Sequence, residues 1–190
     1  MKTLHVVTLI AALGMAAPSV RAQNDAEYSK RSEVTFNSPV HLPGFDLAPG
    51  TYRFELAEPV NDRKTIRVSS ADGSKVYGMI LTVTDETSRI PKEKDPVVMY
   101  QSATPDSPAS VMAWFYPGER IGYEFVYPHD EAMRIARASH TRVRAMEGSE
   151  KYERSSFGGA KVGWVDANGD VRDGATATTG SAEPKRTDKR

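Results

Sequence analysis

Between residues 32 and 127 the chain repeatedly alternates apolar and polar side chains with a period of two. In Thr51-Tyr52-Arg53-Phe54-Glu55-Leu56, Tyr52, Phe54 and Leu56 share one face and Thr51, Arg53 and Glu55 the other, as a half-buried strand requires. Ile66 and Val68 repeat the pattern. The run 75–84 carries Tyr77, Met79, Leu81 and Val83 on one side and Val76 and Ile80 on the other, which predicts a central strand covered on both faces. Further strands are predicted at 33–36, 97–101, 110–116 and 122–127. Asp72-Gly73 has the chemistry of a hairpin turn, because glycine tolerates positive φ. Leu47-Ala48-Pro49-Gly50 and Tyr116-Pro117-Gly118 place Pro before Gly, the order of a type II corner.

Beyond Pro128 the period changes. Asp130 and Glu131 stand where acids favour a helix dipole, and Ala132, Met133, Ile135, Ala136 and Ser139 form a narrow stripe, so the spacing predicts a helix over 130–139. Residues 141–146 alternate again and fit either a last edge strand or a continuation of that helix. From Gly148 to Arg190 the composition turns to Gly, Ser, Thr, Ala and charge, with Tyr152, Phe157, Trp164 and a few Val as apolar material. Such a segment buries too little surface to offset its ordering entropy and is expected to be mostly disordered. One island, 162–171, has the alternation and the Asn168-Gly169 pair of an isolated hairpin. The fold class expected is mainly β: a single antiparallel β-sandwich or small barrel of about eight strands with one short C-terminal helix.

The first 22 residues change the picture of where this domain works. Lys2, an apolar stretch over 4–17 and Val20-Arg21-Ala22 follow the order of a cleavable secretory signal peptide. The stretch is too short for the roughly 20 residues of a spanning helix. Cut after Ala22, the chain divides into a signal peptide (1–22), a polar lead (23–31), a β-rich domain (32–147) and the loose tail (148–190). Of 25 basic and 25 acidic side chains, 23 and 25 then remain, a net charge of −2. That balance implies neither a nucleic acid partner nor an anionic membrane. There is no cysteine, which removes disulfides, thiol nucleophiles and lipidated cysteine, and points to the bacterial periplasm or the medium. No membrane span is expected after cleavage.

Leu47-Ala48-Pro49-Gly50-Thr51-Tyr52, Ala113-Trp114-Phe115-Tyr116-Pro117-Gly118 and Glu124-Phe125-Val126-Tyr127-Pro128 together resemble a family of small uncharacterised exported bacterial proteins. The resemblance covers about residues 33–146. It implies compartment and domain extent and carries no activity, cofactor or site residue.

Motifs for chemistry are sparse. His41, His129 and His140 are the histidines left after export, and no G-x-S-x-G elbow accompanies them. The spacing of His129, Asp130, Glu131 and His140 matches no familiar metal pattern. Asp166-Ala167-Asn168-Gly169-Asp170 opens like a calcium loop but has Val171 and Ala177 where such a loop needs Gly and Glu, and turn chemistry accounts for it. Gly158-Gly159 lacks the Lys and Ser of a phosphate loop. No cofactor is therefore expected.

The distinctive constellation is aromatic. Trp114, Phe115 and Tyr116 are consecutive, and Tyr123, Phe125 and Tyr127 alternate beyond the Pro117-Gly118 turn. Phe115 must face away from Trp114 and Tyr116. If one set faces solvent, Trp114, Tyr116, Tyr123 and Tyr127 form a binding platform for a glycan, a peptide or an envelope component. If a second layer covers both faces, the same rings are core. The leading expectation is a non-enzymatic envelope or secreted binding module. The alternative is a hydrolase whose acids and histidine meet only in three dimensions, recognisable by a concave pocket containing two carboxylates, or a histidine beside a carboxylate, with perturbed pKa values.

Overall fold

The computed structural model describes residues 30–57, 65–87, 94–101, 107–148, 151–169 and, for the backbone alone, 171–173. The expected signal peptide and residues 174–190 of the expected tail lie outside the described residues. The elements are β1 (Arg31–Phe36), β2 (Val40–Leu42), β3 (Phe45–Leu47), β4 (Gly50–Leu56), β5 (Thr65–Ser70), β6 (Val76–Glu86), β7 (Val97–Gln101), β8 (Ala109–Phe115), β9 (Ile121–Phe125), α1 (His129–Ser139), β10 (Val143–Met146), α2 (Arg154–Phe157), β11 (Val162–Val165) and β12 (Val171–Asp173).

The alternation read from the sequence becomes cross-strand pairing. Val34 lies opposite Tyr52, Phe54 opposite Val68, and Ile66 opposite Ile80, so the apolar face of each strand continues on the next. The nine-stranded sheet runs β1-β4-β5-β6-β9-β8-β2-β3, with β7 also paired to β8. At β8 the sheet branches: β7 pairs along one edge, while β2 and β9 share the other.

This sheet is strongly coiled. On a flat sheet Phe54 of β4 and Phe125 of β9, three strands apart, would be separated by about 14 Å. Their rings instead stack with centroids 6.3 Å apart, and Trp114 of β8 lies 6.3 Å from Phe54 as well. The core is the inside of this curl, completed by Ala132, Ile135 and Ala136 of α1.

The expectation holds as far as a mainly β fold and is corrected in its finer form. The sheet is mixed, because β2 runs parallel to β8, and it does not close into a barrel. Among the described residues no ladder joins β1, at one end of the sheet, to β3 or β7 at the other. Side chains link β1 and the residue before it to that other end: Trp114 Nε1 of β8 donates to Ser32 Oγ at 2.9 Å, Lys30 pairs with Glu119 beyond β8, and Phe36 meets Tyr100 of β7 edge-on at 6.3 Å.

Strand β6 has the predicted two-sided cover. Ile80 faces the main core, and Leu81, flanked by Met79 and Val83, faces a second cluster with Val126, Met146 and Phe157. A bulge opposite Val68 and Ser69 leaves Tyr77 as the extra residue, and its ring turns to meet Tyr52 in the main core. The second cluster lies on the outer face and is completed by Tyr152, Phe157, Ala160 and Val162, residues expected to be a loose tail. That expectation is corrected over 151–169 and 171–173. Strand β11 pairs with β10 from Val143↔Val165 to Met146↔Val162, and β12 adds to β11. The island is therefore no isolated hairpin: β10 is its third strand. Residues 143–146 are that strand and not a continuation of the helix.

Helix α1 starts one residue earlier than predicted and ends where His140 takes the left-handed conformation, φ 54°. A hairpin that the periodicity reading passed over, β2–β3, turns at Pro43-Gly44, with Gly44 at φ 84°.

Candidate functional site

The proposed aromatic platform is not a surface. Trp114 and Tyr127 are 0% exposed and Tyr123 7%. Tyr116 is half-buried and packs edge-on against Trp114. Trp114 and Tyr123, opposite each other in the register, stack at 5.6 Å inside the curl. Phe115, on the other side of β8, lies over Gly122 and is buried too. The four residues are thus brought together, but as core, because the coiled sheet covers one face and other residues the second. Tyr127 is fixed from its polar end: its single O–H proton is donated to the Val111 carbonyl at 2.7 Å, with the His41 carbonyl 3.2 Å from the same hydroxyl. Burial, first of all, holds its pKa well above that of a free phenol.

The concave site lies elsewhere, where the β2–β3 hairpin, the start of β8 and α1 meet. A cavity of about 400 Å³ is lined by His41, Asp46, Ser107, Ser110, Glu131 and Arg134, with an apolar wall from Pro108, Ile135 and Ala138. Each element brings its residues for a local reason. The two-residue turn sets His41 directly opposite Asp46, and the alternation that buries Val40, Leu42 and Leu47 turns both polar side chains outward. On α1, Ala132, Ile135 and Ala136 go to the core. Glu131, Arg134 and Ala138, spaced by three and four residues, form the adjacent stripe.

His41 is clamped. Its Nδ1 lies 2.6 Å from Asp46 Oδ1 and its Nε2 3.2 Å from Glu131 Oε2. The same Glu131 oxygen accepts the Gly44 N–H at 3.0 Å, so one carboxylate on α1 holds both the ring and the tip of the hairpin. The Glu131 hydrogen bond, followed by that of Asp46, raises the His41 pKa against the opposing effect of burial. For Glu131 burial is the largest influence and acts upward, but the His41 and Gly44 hydrogen bonds together outweigh it and leave the carboxyl below its usual range. The ring is therefore stabilised as an imidazolium between two carboxylates. Arg134 adds a second positive charge near Glu131, with no carboxylate within salt-bridge distance among the described residues.

With both ring nitrogens held by carboxylates, His41 has no nitrogen left to take a proton from a serine, as nucleophilic catalysis would require. Among the described residues no group of three or more His, Asp or Glu converges to hold a metal ion. His129 and His140 stand at opposite ends of α1. Asp166 Oδ1 accepts the Asn168 N–H at 2.8 Å in the β11–β12 turn.

The sequence reading noted His41 only as one of three histidines. The Val40-His41-Leu42 and Phe45-Asp46-Leu47 alternation about Pro43-Gly44 is a signal that could have paired it with Asp46. Nothing local links either residue to Glu131, 90 positions from His41. Comparison of the chain with protein-family models, curated proteins and solved structures finds no match in any of the three.

Proposed function

We propose that the chain is a non-enzymatic binding module, exported to the bacterial periplasm or beyond, and that its ligand enters the cavity at His41, Asp46, Glu131 and Arg134. The observation that carries this reading is the cavity itself. It has the size of a small-molecule pocket, and its lining combines charged and hydroxyl groups with a few apolar side chains. The aromatic hairpin supplies the frame and not the contact surface, since its rings are buried. The N-terminal pattern and the lack of cysteine support export.

One observation favours a second reading, hydrolysis: a histidine between carboxylates of shifted pKa, with Ser107 and Ser110 in the same cavity. The engagement of both ring nitrogens weighs against it.

The test uses protein recovered from the periplasm, whose intact mass should begin at Gln23. A ligand-observed NMR screen of small polar fragments is run on wild type, on Ala138→Trp, which plugs the cavity from an exposed helix position, and on Trp114→Ala. Fragments should bind wild type and be lost from Ala138→Trp with its fold intact. Trp114→Ala should lower stability by about 3–5 kcal/mol, as emptying a core site does. Fragments that bind both proteins equally, or none that binds wild type, would sink the cavity as the site.

A further inference from the structure

We infer that the cavity takes a neutral, polyhydroxylated ligand of the size of a mono- or disaccharide. This rests on the cavity being the binding site and adds the chemistry of what enters it.

Charge balance is the first argument. Asp46 and Glu131 lie beside Arg134 and beside His41, whose charged form both carboxylates favour, so the lining sets groups of both signs side by side. An anion drawn to Arg134 also meets two carboxylates. A cation drawn to the carboxylates meets a guanidinium and an imidazolium. For a divalent ion the space between the carboxylates is already filled by the ring. Either kind of ion therefore meets a group of its own sign beside the one that attracts it. A neutral solute meets no such opposition.

Hydrogen-bonding capacity is the second. Glu131 Oε2 is committed to His41 and Gly44, and Asp46 Oδ1 to His41. The other oxygen of each carboxylate has no hydrogen-bond partner among the described residues, and each can accept from a hydroxyl. Arg134 presents a fork of donors. Fixed acceptors beside fixed donors suit a group that both gives and takes hydrogen bonds, and adjacent hydroxyls on a sugar ring do so. Because the carboxylates are anchored by His41, their orientation costs the ligand little ordering entropy.

The third argument is the wall. Pro108, Ile135 and Ala138 add a small apolar surface to the lining, which suits the C–H face of a pyranose, and the volume of about 400 Å³ accommodates roughly one or two such rings.

The experiment titrates isotope-labelled full-length protein with glucose, N-acetylglucosamine, maltose and cellobiose. Acetate, inorganic phosphate and putrescine are titrated in parallel, each to about 10 mM, which reaches affinities in the millimolar range. At least one saccharide should shift amide signals of residues 41–46, 107–110 and 131–138, and the charged probes should not. Arg134→Met, at an exposed position, should weaken that saccharide roughly 10–100-fold, the loss expected of a hydrogen bond to a charged group. Asp46→Asn, which keeps the size of the side chain, should weaken it in the same direction. Shifts from a charged probe with none from saccharides would overturn the ligand class and leave the cavity as the site. No shift from these probes or from the fragment screen would remove both readings.

Discussion

His41 ties the stability of the hairpin-to-helix clamp to pH. Two carboxylates stabilise its charged form in the fold, so its pKa lies above the usual 6.5. Its contribution to stability is therefore complete below pH 6.5 and is lost as pH rises through the folded value. Glu131 works in the opposite direction. Its pKa lies below the usual 4.5, so its contribution is present above that pH and fades as pH falls through the lowered value. The clamp between hairpin and helix is strongest between these limits. Urea midpoints measured from about pH 5 to about pH 9 should fall on the alkaline side in wild type, and His41→Gln should remove that slope. A wild-type midpoint that stayed level above pH 6.5, or a His41→Gln protein with the same slope, would show that the clamp does not contribute. Of this residue's role the sequence discloses the Asp46 half, through hairpin register, and not the Glu131 half, which depends on how α1 packs.

At the scale of elements, turn chemistry and alternation carry far. Tyr116-Pro117-Gly118 forms the predicted type II corner: Glu119 N–H bonds Tyr116 O at 3.1 Å and Gly118 has φ 77°. The corner at Pro49-Gly50 joins β3 to β4, but Gly50 has φ 159°, extended backbone, so its turn type differs from the one predicted. Element boundaries were mostly legible to within a residue or two, because burial on one face enforces the period. Close packing between neighbouring strands was not legible, and Gly122 is the example. A Cβ there would lie 2.3 Å from Cδ1 of Phe115, a fully buried ring with little room to move. Gly122→Ala should cost about 1–3 kcal/mol, the range for overpacking. Gly158, exposed at the end of α2 with helical dihedrals and nothing near its Cβ, is the control, where Ala should stabilise by about 0.4–1 kcal/mol. Equal denaturation midpoints for the two variants would refute the packing argument.

At the scale of the whole molecule, residues 151–165 complete a layer. Tyr152 donates its hydroxyl to Val126 O at 2.7 Å and accepts the Leu81 N–H at 3.0 Å, tying the outer layer to β6 and to the chain after β9. Its ring meets Phe157 at 4.9 Å. Deleting residues 148–190 uncovers Leu81, Val126 and Met146. At about 1.5–3 kcal/mol for each large buried side chain, the truncated domain should lose several kcal/mol and bind a hydrophobic dye, as followed by thermal unfolding and dye fluorescence. Unchanged melting and no dye binding would mean that the outer layer is dispensable. Composition misled here, since Tyr152, Phe157 and Val165 are few; their value comes from a partner surface that the β-domain supplies.

The chain's own pattern determined a mainly β fold, the strand positions, the helix and the central, two-sided place of β6, because local burial and turn geometry act over a few residues and leave a period behind. Tertiary structure alone decided the rest. The coiling of the sheet put Phe54 against Phe125 and Trp114 and thereby made core of an aromatic set whose alternation also allowed a platform. A parallel contact of β2 with β8 and the packing of α1 on the core brought His41 and Glu131 together. A cavity formed by contacts 90 residues apart has no period and no spacing. It arises from the path of the chain, which many weak apolar contacts settle jointly.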